Sequence, residues 1–101
     1  MSPVDYRGAL EAVERVLNRG GEPRDVLSGV LEALAARGVT YGAIRSGGDE
    51  VAVGAPDGPL VSKPIVAGDG GRGTLTLAVD DEAFVERVAT LVSPYLSRAA
   101  L

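Results

Sequence analysis

The stretch VTYGAIRSGGDEVAVGA, Val39 to Ala55, decides the fold. Before it, apolar residues recur every three to four positions. Within it they alternate. That change of period, from about 3.6 to about 2, marks the passage from helices to a sheet. Val39 to Arg45 reads as a strand, Ser46-Gly47-Gly48-Asp49 as a hairpin turn and Glu50 to Ala55 as the returning strand. Paired glycines between two such runs supply the positive φ that a tight hairpin demands. Alternation puts Tyr41, Ala43 and Arg45 on one face, and Thr40, Gly42, Ile44 and Ser46 on the other.

Downstream, Pro56-Asp57-Gly58-Pro59 is turn chemistry. Leu60 to Ala67 reads as a third strand, and Pro64, which has no N–H to donate, assigns it to a sheet edge. A loop, Gly68 to Arg72, leads into a fourth strand, Gly73 to Val79. There Leu75, Leu77 and Val79 face one way, and Thr74, Thr76 and Ala78 the other. Asp80 reads as the N-cap of a last helix, with Asp81 and Glu82 in its first turn. Its apolar stripe is Phe84, Val85, Val88, Leu91, Val92, Tyr95 and Leu96. Pro94 is expected to kink or split this helix, with Ser93 capping a final turn.

Upstream, a helix is expected from Pro3 to Arg19, with Ser2 as N-cap and Asp5 in a variant capping box. Its stripe is Val4, Leu10, Val13, Val16 and Leu17, and Gly20-Gly21 ends it. A second helix is expected from Pro23 to Arg37, stopped by Gly38. Gly29 inside it costs about 1 kcal/mol relative to Ala, which points to close packing on a neighbour. The expected fold class is α+β: an antiparallel sheet of about four strands, with two N-terminal helices and one C-terminal helix mainly on one face. Residues 1–101 read as a single domain.

With 46% hydrophobic residues in 101, the chain can build a core. It has no Cys and no His. That removes disulfides, thiolate nucleophiles, zinc–thiolate and iron–sulfur sites, imidazole ligands and histidine-based triads. The formal charge is −4, and the ten basic residues, all Arg except Lys63, are scattered. Nucleic acid is therefore not an expected partner. No apolar run approaches the roughly 20 residues that span a bilayer. Met1 to Asp5 has neither a basic region nor an apolar signal core. A cytoplasmic protein with no membrane contact is expected.

Motifs for chemistry are weak. Gly68-x-Gly70-x-x-Gly73 satisfies the dinucleotide pattern literally. That pattern works through a following helix N-terminus, and here a strand follows. Asp49-Glu50 sits in a turn, and Asp80-Asp81-Glu82 caps a helix. A carboxylate-only enzyme would need Asp49, Glu50 or Asp69 to converge in one concavity. Ser62 and Lys63 are neighbours in a strand and point to opposite faces, so they form no dyad. No catalytic residue, metal or cofactor is expected. The mild face of the sheet is either plainly solvated or the floor of a ligand site. In the second case Tyr41, Arg45, Thr74 and Thr76 bind, and Arg45 anchors a carboxylate or phosphate. In the first, Arg45 is a solvated strand-end residue.

The order of elements, with Asp25-Val26-Leu27-Ser28-Gly29-Val30-Leu31, Pro64-Ile65-Val66 and Gly73-Thr74-Leu75-Thr76-Leu77, resembles the GAF domain family of sensory and regulatory modules. The last helix, with Asp81 and Phe84, is similar to that family's terminal helix. The resemblance spans nearly the whole chain. It implies a GAF/PAS-like fold, a regulatory role in signalling or transcriptional control, and a homodimer through the terminal helices. A protein partner or a small molecule is the implied ligand. Pro56 to Pro59 stands where the family carries pocket-covering helices. The family's cyclic-nucleotide signature is missing, Asn18 and Lys63 being the sole Asn and Lys. Its bilin, haem and cysteine chemistries need Cys or His.

Overall fold

The computed structural model describes residues 4–68 and 70–99. Chain order is α1 (Tyr6–Arg19), α2 (Pro23–Ala35), β1 (Tyr41–Ser46), β2 (Asp49–Gly54), β3 (Val61–Val66), β4 (Arg72–Leu77) and α3 (Glu82–Ala99). The strands form one antiparallel sheet in the order β2-β1-β4-β3. Pro64 thus sits on an edge strand, as its missing donor requires. The architecture is α+β, with two N-terminal helices and one C-terminal helix packed on the sheet.

Register explains which face the helices cover. Gly42 and Ile44 of β1 lie beside Leu77 and Leu75 of β4, which lie beside Val61 and Lys63 of β3. Ile44, Ile65, Leu75 and Leu77 are buried with Leu27, Leu31 and Leu34 of α2 and Val85, Val88, Val92 and Leu96 of α3. Gly42 lets α2 come close, since a Cβ there would lie 2.9 Å from a Leu31 methyl. The expectation for Gly29 holds: a Cβ there would lie 3.1 Å from Val16 of α1. At the β1–β2 turn Gly47 has φ 61°, and no positive φ occurs at Gly48, the pattern of a type II′ hairpin.

All four strands lie within two residues of their expected limits, and the larger differences are at helix ends. α1 begins at Tyr6 rather than Pro3. Asp5 is itself the N-cap, its carboxylate accepting from the Gly8 N–H at 3.0 Å. The chain is held there because the Asp5 N–H donates to the Arg37 carbonyl at 3.1 Å and the Arg37 guanidinium approaches the Asp5 carboxylate at 3.4 Å. Ser2 and Pro3 lie outside the described residues. α2 ends at Ala35, two residues short of Arg37. The Val39 N–H is spent on the Leu34 carbonyl at 3.1 Å, so β1 starts later than expected, at Tyr41.

Asp81, not Asp80, caps α3, accepting from the Phe84 N–H at 3.0 Å. The Asp80 carboxylate instead accepts from the Tyr6 hydroxyl at 3.3 Å. Pro94 does not split α3, and Ser93 does not cap a separate turn. The Ser93 hydroxyl donates to the Thr90 carbonyl at 2.9 Å. That carbonyl is the one an N–H at position 94 would have taken. A local side-chain donor fills the gap that proline leaves.

Two predictions follow from these helix ends. Asp5→Ala removes a cap and the Arg37 bridge, and should cost about 1–2 kcal/mol in urea denaturation. Asp5→Asn keeps an acceptor and should recover most of that loss. Tyr6 packs edge-on against Phe84, with ring centroids 4.8 Å apart. Burial, then the Asp80 carboxylate, pushes its phenol above the ordinary value of 10.0. The folded chain therefore holds that proton when the unfolded chain has lost it, so stability falls as pH rises past about 10. Tyr6→Phe should flatten that alkaline decline in a thermal-denaturation series.

Candidate functional site

The outer face of the sheet, opposite the helices, is built from every second residue of each strand. One cross-strand row is Glu50–Arg45–Thr74–Pro64, and the next is Ala52–Ala43–Thr76–Ser62. Tyr41 lies beyond, opposite Gly54. At the other end Arg72 pairs with Val66. No described helix or loop roofs these rows. Thr74, Ala52, Ser62, Pro64 and Val66 are exposed, and Tyr41 and Thr76 are half-buried. Ala43 is buried by its neighbours alone.

All four expected ligand residues, Tyr41, Arg45, Thr74 and Thr76, lie on this face. Their surroundings differ. Arg45 is ion-paired through Nε with Glu50 across the hairpin, and its side chain is 73% exposed. That pair is freely exchangeable with solvent ions. The Thr76 hydroxyl shares a 2.7 Å hydrogen bond with that of Ser62. Thr74 has no such partner among the described residues. Arg45 and Thr74 line a shallow depression of about 400 Å³ between the two hairpin ends, with Gly47, Pro64, Val66 and Arg72. Tyr41 and Thr76 lie outside it.

Arg72, Pro64 and Val66 were not among the expected ligand residues. Arg72 read as loop, but β4 begins there, which puts it two residues before Thr74 on the same face. Val66 is 61% exposed, and it and Leu60 are the exposed large hydrophobic residues among those described. Both flank β3.

The acidic groups do not converge. Asp49 is 3.9 Å from Arg24 of α2, whereas Glu50 is on the outer face. Asp69 lies outside the described residues. Glu82 is 3.3 Å from the Lys63 ammonium on the helix side of β3, with Ser62 on the opposite face. Among the described residues no group of three His, Cys, Asp or Glu could hold a metal ion. No described helix is long and apolar enough to cross a membrane. Comparison with known proteins gives no matching family model, no similar curated protein and no similar solved structure.

Proposed function

We propose that this chain is a non-catalytic regulatory module of GAF-like architecture that acts by binding another protein in signalling or transcriptional control. The observation that carries the reading is the unroofed outer face of the sheet. A small-molecule site normally encloses most of its ligand in a concave cavity. Here the connection between β2 and β3 runs only from Ala55 to Leu60 and leaves the face open. An open surface that carries the exposed Val66 suits a protein partner better than a buried metabolite. The absence of Cys and His from the sequence supports a role without covalent or imidazole chemistry.

A homodimer through the terminal helices belongs to the same reading. Leu10 and Leu17 of α1 and Leu91 of α3 remain only partly buried, leaving apolar surface on the helical layer. Sedimentation should then give a dimer at high micromolar concentration, and a monomer there removes the dimer.

A photocrosslinking residue placed at Thr74, compared with one at Glu14 on the helical layer, tests the outer-face reading in cells that make the protein. A discrete adduct with a protein other than the chain itself from position 74, absent from position 14, is the expected result. No adduct at position 74, with a metabolite raising Tm by several degrees, would overturn it for a small-molecule sensor built on Tyr41, Arg45, Thr74 and Thr76.

A further inference from the structure

We infer that the corner formed by Arg45, Arg72 and Thr74 docks an extended acidic segment of a partner protein, with carboxylates at alternate positions. The inference rests on the interaction-module reading and names the partner's chemistry.

Charge is the first argument. The chain carries −4 overall, yet the described charged residues on the outer face are Arg45, Arg72 and Glu50. Among the described residues no carboxylate pairs with Arg72. At physiological salt the Debye length is about 8 Å, so an approaching carboxylate senses this corner rather than the net charge. Arginine presents a planar fork that matches carboxylate geometry.

Spacing is the second argument. Arg45 is opposite Thr74, and Arg72 is two residues before it. The two arginines are therefore diagonal neighbours on one face, a separation of about 7–8 Å in antiparallel pairs. Carboxylates at positions i and i+2 of an extended peptide share one face and lie about 6.6 Å apart. Adjacent carboxylates point to opposite faces and cannot engage both arginines. The Thr74 hydroxyl lies in the same depression as both arginines, and Pro64 and Val66 give it an apolar wall.

Glu50 is a built-in competitor. It already occupies the Arg45 guanidinium, so an incoming carboxylate must displace it. Removing its charge should strengthen docking, whereas a mere structural ion pair would give no such gain.

The test is an NMR titration of the full chain with the peptide Thr-Glu-Val-Glu-Thr. Controls are its isomer Glu-Glu-Val-Thr-Thr and inorganic phosphate. Saturable shifts at Gly47, Val66, Gly73 and Thr74, several-fold weaker with the isomer, are expected. Arg72→Ala should weaken binding about tenfold and Arg72→Glu should abolish it, both with unchanged Tm. Glu50→Gln should tighten binding several-fold. Equal midpoints for peptide, isomer and phosphate would overturn the inference in favour of a plain anion site. Shifts confined to the helices, or no saturation by about 1 mM, would overturn it too. Those outcomes leave the crosslink at position 74 free to succeed or fail separately.

Discussion

Leu77→Ala should lower the unfolding free energy by about 2–5 kcal/mol, a large part of the 5–15 kcal/mol that a domain of this size commonly has. Leu77 is fully buried on the central strand β4, between Gly42 of β1 and Val61 of β3. Neither neighbour can fill the space: Gly42 has no side chain, and Val61 is held by the ladder. Removing three carbons therefore leaves a cavity rather than a collapsed core. Urea denaturation with an unchanged m-value is the check. The informative comparison is Thr74→Lys, three residues earlier on the opposite face. An exposed position with no partner should change stability by less than about 0.5 kcal/mol. If the two substitutions cost the same, the assignment of inner and outer faces is wrong.

Gly73→Ala is expected to cost nearly as much, about 2–4 kcal/mol, although it adds a single methyl group. Gly73 is on β4 opposite Ser46 of β1 and Ile65 of β3, and it faces the helices. A Cβ there would collide with the Arg45 carbonyl oxygen and come within 2.9 Å of a Leu96 methyl. The leucine tip can rotate away, but the carbonyl belongs to the β1 backbone and cannot. Relief requires β1 and β4 to separate at the end that holds Arg45, Thr74 and Arg72. The variant should thus lose both stability and the protection of the Arg45 and Thr74 amides from hydrogen exchange. Gly47→Ala, at a turn with open space around it, tests a different cost. Its penalty is the positive φ alone, about 1 kcal/mol.

The strands were legible because their signal is local. Alternation in VTYGAIR and TLTLAV, two glycines in a turn and a proline at an edge each point to one arrangement. Strand order was a different matter. Only the edge position of β3 follows from residue chemistry; that β4 lies between β1 and β3 is a tertiary fact. Helix ends were less legible because competing donors and acceptors sit close together. Asp80 and Asp81 are equally good caps by residue type, and Tyr6, distant in sequence, takes one of them. Pro94 broke no helix because a serine one residue earlier supplied the missing donor. Arg72 escaped notice for a related reason. Residues next to a glycine-rich loop read as loop, and only register with Val66 brings that arginine onto the face holding Arg45.

The central claim is that this sheet has one face sealed by helices and one left open, the open one being the working surface. A soluble, uncharged gadolinium chelate reads that directly by broadening NMR signals of side chains that it can approach. Strong broadening at Ala52, Thr74 and Val66, with Ile44, Leu75 and Leu77 spared, is the predicted pattern. Ala52, Thr74 and Val66 protected as fully as Leu75 and Leu77 would contradict it.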